Sequence, residues 1–207
     1  MNAEITNAFT NALHALFLFL YLTGSVKHYL CNSERFTGSI VVFFLILFVL
    51  KLMGVYVHYY PSNESLSRAW IAISLLVILL NYVIVHSMET PEFFRGFAVL
   101  ISLIFTFLFI ANEGGFVYLA LPLILIYLAA AYYSRGLLRL GFLLVVTSNV
   151  VWIAVREIAS SWIGYELPVH LRFDNDLYHL MLIGSTFIIY QAILRGDWVT
   201  PSRVMAK

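Results

Sequence analysis

Gly38-Ser39-Ile40-Val41-Val42-Phe43-Phe44-Leu45-Ile46-Leu47-Phe48-Val49-Leu50-Lys51-Leu52-Met53-Gly54-Val55-Tyr56-Val57 is a continuous run in which Lys51 is the single charged side chain. A helix needs about 20 predominantly apolar residues to cross a bilayer core about 30 Å thick, and this run supplies them. Similar stretches recur along the chain. They run approximately Ala8–Val26, Ala69–His86, Phe97–Ala111, Phe116–Ala131, Gly141–Val155 and Leu177–Leu194. With Gly38–Val57 they predict seven spans, two of them short. The fourth and fifth spans are thinned, tilted, or joined by a tight hairpin through Glu113-Gly114-Gly115. Residues 1–207 therefore read as one all-α domain, an integral membrane bundle of seven transmembrane helices.

Composition supports this reading. Hydrophobic residues make up 62% of the chain and charged residues 11%, with a mean hydropathy of +0.90. A soluble domain lies nearer about half apolar and about a quarter charged. The formal net charge is +1 and no basic run occurs, so nothing points to a nucleic-acid partner. Cys31 is the sole cysteine, which excludes an intrachain disulfide and a cysteine-based zinc cage. The opening Met1–Asn7 lacks a positive region and a convincing cleavage pattern, so the first span is expected to be retained. No internal repeat or low-complexity tract stands out.

Lys and Arg in the short loops set orientation. Lys27, Arg35, Arg95, Arg135, Arg139, Arg195, Arg203 and Lys207 follow spans one, three, five and seven, whereas Arg68, Arg156 and Arg172 fall on the other side. This bias predicts a non-cytoplasmic N-terminus and a cytoplasmic C-terminus. The starts of spans one and seven and the end of span two then share one side. Glu4, Asn7, Thr10, Asn11 and His14 share a depth zone there with His58, Asp176 and His179. His86 falls at the opposite end. The longest connection, Ala159 to Asp176, carries Trp162, Tyr165, Pro168, His170 and Arg172 and is expected at the interface or over a pocket.

Chemistry is most concentrated in Asp174-Asn175-Asp176-Leu177-Tyr178-His179, at the mouth of the last span. Ionisable groups in spans usually face the bundle interior or a wet cavity. Asp176 and His179 are three apart and Asn175 and His179 four apart, so each pair shares a helical face. Carboxylate and imidazole are both zinc ligands, and the same pair also suits an Asp–His contact that fixes the ring tautomer. Helix capping is an equally direct reading for Asp174 and Asn175, because such residues accept bonds from free backbone N–H groups. His58, among Tyr56, Tyr59 and Tyr60, suits an interfacial aromatic belt as well as a ligand role. Glu4, Asn7 and Thr10 recur every three residues along one face of span one. Deeper polar residues, Asn81, Asn149, Ser185 and Thr186, are expected to make interhelical hydrogen bonds. No nucleophile elbow, His-Glu-x-x-His or phosphate loop occurs. Span seven has no lysine for a retinal Schiff base.

Three motifs together resemble a known superfamily. Ala3-Glu4-Ile5-Thr6-Asn7-Ala8-Phe9-Thr10 is similar to the Glu-x-x-Asn-x-x-Ser/Thr pattern opening the alkaline ceramidases and the progestin and adipoQ receptors. Gly54 to His58 looks like its Gly-x-x-x-His, and Tyr178-His179 like the aromatic-His pair of its seventh span. The resemblance implies a zinc-dependent hydrolase of lipid amides, with His58 and His179 as metal ligands and Glu4 as the first-span acid. Three positions depart from the pattern. Asn175 stands where the first His of His-x-x-x-His belongs, Gly54 stands where a Ser belongs, and no Asp follows span two. A catalytic zinc usually has three protein ligands, so Asp176, His170 or Glu4 would have to supply the third. Lys51, seven residues before His58 on the same face, would disfavour a dication unless it snorkels or pairs with a carboxylate.

The expected function is therefore a metal-dependent hydrolase acting on a membrane lipid. His58, His179 and Asp176 would hold Zn2+, and Asp176 would also serve catalysis. The alternative is a non-catalytic lipid- or ligand-binding protein in which Lys51, Glu4 and Asp176 form a buried ionic network in place of a metal, with Glu4, Asn7, Thr10, Lys51 and Asn175 as ligand-binding residues. A homo-oligomer, or a subunit of a larger membrane complex, is also left open.

Overall fold

The computed structural model describes residues 3–31, 38–59, 63–87, 90–112, 117–158 and 173–198. Among them all regular structure is helical: α1 (Ala3–Cys31), α2 (Gly38–Tyr59), α3 (Asn63–Ser87), α4 (Glu92–Ala111), α5 (Val117–Tyr133), α6 (Gly136–Ile153) and α7 (Phe173–Arg195). A π-helical stretch, Ala154–Ile158, continues α6. Five helices, α1, α2, α4, α6 and α7, are long and apolar enough to cross a membrane, while Ile71–Ser87 and Val117–Tyr133 are shorter apolar helices. The chain is a multi-pass membrane protein. Helix is the expected solution in lipid, since each segment then satisfies its own backbone polar groups.

Most helices outrun their apolar stretches by a turn or so, because helical hydrogen bonding continues into the polar boundary where hydropathy stops. The largest difference falls on α4. Expected to be short, it has 20 residues, since Glu92-Phe93-Phe94-Arg95 already form its first turn. Pro91 caps it in an extended conformation, and its carbonyl accepts from Phe94 N at 2.9 Å and Arg95 N at 3.2 Å. The last described helix closes with equal definition. Gly196, at φ 85°, follows α7, with Gly196 N donating to Ile193 O at 2.9 Å and Asp197 N to Ala192 O at 3.0 Å. This is a Schellman motif, which needs the left-handed backbone that glycine adopts without penalty. The expected Glu113-Gly114-Gly115 hairpin and the 159–172 connection, including His170, lie outside the described residues.

The bundle has two unlike halves along its axis. One half, near the end of α1 and the start of α2, is filled by aromatic rings. Tyr21 stacks on Tyr190 with centroids 4.7 Å apart, and Phe44 packs edge-on against Tyr190 at 5.7 Å. The turn after α7 returns Trp198 into this layer, where it meets Phe43 at 5.5 Å and Phe142 at 6.1 Å. Close helix approach completes the packing, since a Cβ added at Gly141 would lie 2.6 Å from Ile189 Cγ1. In the other half, where α1 and α7 begin and α2 and α6 end, the helices enclose space.

Candidate functional site

That space is a cavity of about 640 Å³ between α2, α3, α5, α6 and α7, with Asn11 of α1 at its edge. Its volume falls within the roughly 300–1,000 Å³ typical of small-molecule sites. Leu47, Val77, Leu80, Leu123, Val145 and Leu182 give it apolar walls. Lys51, His58, Asn149, Asn175, Tyr178 and His179 gather its polar groups. Six polar side chains converging in a membrane-spanning bundle are what a binding site needs and what a lipid-facing surface excludes.

His179 sits at the meeting point of three helices. Its Nε2 lies 2.9 Å from Asn11 Nδ2 on α1, and its Nδ1 lies 3.1 Å from Lys51 Nζ on α2. The ring is 7% exposed, although it stands less than two turns into α7. Lys51 points into the cavity and, among the described residues, meets no carboxylate. Its Nζ lies against the imidazole and 5.7 Å from the Tyr178 ring centroid. The shared face of Lys51 and His58 inferred from their spacing is realised, since both line the cavity.

Asp176 and Asn175 leave His179 in opposite directions. Asp176 Oδ1 accepts from Thr10 Oγ1 at 3.0 Å, toward α1. Asn175 Oδ1 accepts from Trp152 Nε1 at 2.8 Å, toward α6. Since α7 already begins at Phe173, Asn175 is not a cap. It is an interhelical acceptor, and the side chain of Asp174 lies outside the described residues. The Glu4, Asn7, Thr10 stripe is present in part. Asn7 and Thr10 are buried and do not line the cavity, Thr10 alone of the two being bonded to α7, and the side chain of Glu4 lies outside the described residues. One turn further, His14 Nε2 lies 3.2 Å from Thr186 Oγ1. Asn7, Thr10, Asn11 and His14 thus form one continuous polar seam, with Thr10, Asn11 and His14 joined to Asp176, His179 and Thr186 of α7.

The departure at Gly54 has a steric cause. A Cβ there would lie 2.7 Å from Asn11 Oδ1, so the amide of α1 occupies the volume a serine side chain would need. The deeper polar residues divide. Asn81 Nδ2 donates to Ser102 Oγ at 2.8 Å between α3 and α4, and Asn149 Oδ1 accepts from Tyr178 Oη at 3.3 Å between α6 and α7. Ser185 Oγ instead donates within its own helix, to Met181 O at 2.7 Å. His86 is exposed at the far end, against Tyr82, as its position in span three implied.

Sequence reasoning undervalued α6. Asn149, Trp152 and Arg156 all line the cavity, and their spacing of three and then four residues is a single helical face. That pattern was available as a signal. The π turn Ala154–Ile158 ends this face, with Arg156 5.3 Å from the Trp152 ring. Such turns are frequent at functional sites. On α5, Pro122 cannot donate a backbone N–H, so the carbonyl of Tyr118 at the cavity wall loses its helical donor.

Of the residues named for zinc, His58 and His179 line the cavity, while His170 and the side chain of Glu4 lie outside the described residues. Among the described residues no group of three His, Cys, Asp or Glu side chains is close enough to hold a metal. Both ring nitrogens of His179 already face nitrogen atoms, and Asp176 is turned into the seam with α1. A three-ligand zinc with an open position would require these contacts to be given up. Comparison with protein-family models, curated proteins and solved structures gave no match.

Proposed function

We propose that this multi-pass protein binds an amphiphile within the membrane, a lipid or a chain-bearing small molecule. The chain would lie along Leu47, Val77, Leu80 and Leu123, and an oxygen-bearing head would lie against Lys51 and His58. The observation that carries this reading is the placement of Lys51 and His179, in contact with each other, in the wall of a largely apolar cavity of about 640 Å³. Placing an ionisable pair there is costly, and intramembrane ionisable residues mark ligand and substrate sites. Asn175 and Tyr178 complete the polar corner, while Thr10 supports it from the seam by bonding α1 to α7.

The experiment is a ligand census on protein purified in detergent. A lipid-extract mass spectrum should show an amphiphile retained near one per chain. It should be lost in Ala120→Trp, which fills the cavity from α5, where Ala120 is buried in the wall. Folded wild-type protein that retains no amphiphile and displaces no chain-bearing fluorescent probe would sink the reading.

One observation favours a second reading. His58 and His179, the metal ligands implied by the resemblance to the alkaline ceramidase superfamily, line the same cavity. On that reading the protein would cleave a lipid amide with zinc. Stoichiometric zinc in the wild type, lost in both His58→Ala and His179→Ala, would replace the binding-protein reading. Orientation is tested separately, with a reporter fused after Lys207 expected on the cytoplasmic side.

A further inference from the structure

The hydrogen-bond pattern around His179 decides which atoms carry protons. Asn11 Nδ2 has two hydrogens, and its two neighbours are Asn7 O at 2.9 Å and His179 Nε2 at 2.9 Å. Turning the amide over would set its oxygen against the Asn7 carbonyl oxygen, two acceptors at hydrogen-bond distance. The amide is therefore assigned by its network, with one hydrogen to each neighbour, and His179 Nε2 is an acceptor. A neutral imidazole then carries its proton on Nδ1. That N–H points at Lys51 Nζ, 3.1 Å away. Only an uncharged amine has a lone pair to accept it. An ammonium would set donor against donor.

We infer that Lys51 is a nucleophilic amine, and that the cavity forms a reversible imine between Lys51 Nζ and a long-chain aldehyde. The inference rests on the binding-site reading above and deepens it by naming the reactive group of the ligand. Uncharged lysines in desolvated pockets are the lysines that form Schiff bases with carbonyl compounds. The cavity lies between helices and supplies apolar walls for the chain beside Lys51.

The step balances without an oxidant or reductant. The Nζ lone pair attacks the carbonyl carbon and a C–N bond forms. The carbonyl oxygen takes a proton from His179 Nδ1, and the amine gives one back to the ring. The resulting carbinolamine breaks its C–O bond, the oxygen takes the Nδ1 proton again and leaves as water, and the remaining nitrogen proton returns to His179. Aldehyde and amine become imine and water, and the imidazole ends as it began. The Tyr178 ring, with its centroid 5.7 Å from Nζ, lies within the roughly 6 Å at which an aromatic face attracts a cation. It would steady the transient iminium formed as the C–O bond breaks, before its proton returns to His179.

The test uses the full chain in detergent, with hexadecanal as probe and cyanoborohydride to fix any imine as a secondary amine. Peptide mapping should place a single chain on Lys51, at least about tenfold ahead of the exposed Lys27, and Lys51→Arg should lose it. Mapping on the wild type locates the adduct even if the variant fails to fold. Modification of Lys27 without Lys51 overturns the imine. Displacement of a fluorescent chain probe by hexadecanol, which has no carbonyl, separates the two ideas. Displacement without an adduct removes the imine and leaves the binding site, whereas neither displacement nor adduct removes both.

Discussion

The two halves of the bundle are built from the same helices and differ in what those helices carry. α1 contributes Tyr21 to the packed half and Asn11 to the hollow one. In the same order α2 contributes Phe43 and Phe44 against Lys51 and His58, α6 Phe142 against Asn149 and Trp152, and α7 Tyr190 against His179. Phenylalanine rings fill space and need no hydrogen-bond partners. Polar side chains must find partners when lipid surrounds the bundle, and each that finds one fixes a helix at a particular rotation. The packed half therefore holds the helices together, and the hollow half uses that rigidity to keep a set of polar groups facing open space.

This division is open to attack from both sides. The largest effect is expected from Gly141→Leu in the packed half. Its side chain must enter space held by Ile189, whose backbone N lies 3.2 Å from the position of an added Cβ. Overpacking of this kind costs about 3 kcal/mol, read as a fall in thermal stability in detergent. An unshifted melting curve would mean that α6 and α7 part easily and that the packed half is not the anchor.

Asn11→Leu comes next. It removes the donor to His179 Nε2 and leaves a buried acceptor unpaired, at a cost of about 1–2 kcal/mol. Ligand retention should fall with it, because α1 no longer sets the imidazole. A stability loss with unchanged retention would show that the seam serves the fold alone.

Gly54→Ser is a smaller change with a sharper meaning. It restores the residue type of the resembling superfamily against an amide whose oxygen would be 2.7 Å from the new Cβ. Destabilisation of about 1 kcal/mol is expected, together with loss of the probe. Wild-type stability would indicate that Asn11 moves aside freely and that the hydrogen-bond assignment around His179 is not unique.

The smallest stability effect belongs to Tyr178→Phe, which deletes a 3.3 Å hydrogen bond to Asn149 and keeps the ring beside Lys51. Stability should change by less than about 0.5 kcal/mol. Probe affinity should still drop severalfold if the hydroxyl helps to hold the head group. Equal affinity would remove Tyr178 from the polar corner.

Much of this was legible in the chain. The apolar runs located the seven α-helices of the described residues, and helical spacing alone put Lys51 and His58 on one face. The depth argument also held, since the starts of α1 and α7 do meet the end of α2. What escaped was the direction of neighbouring polar side chains. Asp176 and Asn175 adjoin in sequence and lie near His179 on the helix, yet one bonds to α1 and the other to α6. A side chain's partner depends on which helix stands opposite, and hydropathy is silent about that. The α6 face of Asn149, Trp152 and Arg156 was overlooked because no residue in it looks reactive by itself.

The sequence alone determined that the chain lives in a membrane as a helical bundle, because twenty apolar residues have few other stable states. It also determined which residues are costly to place there. Tertiary structure decided which of those residues meet. Lys51 beside His179, and Asn11 in the space above Gly54, arise from the rotation and depth of three helices relative to one another. That relation is set by packing across the whole bundle, and no stretch of chain contains it.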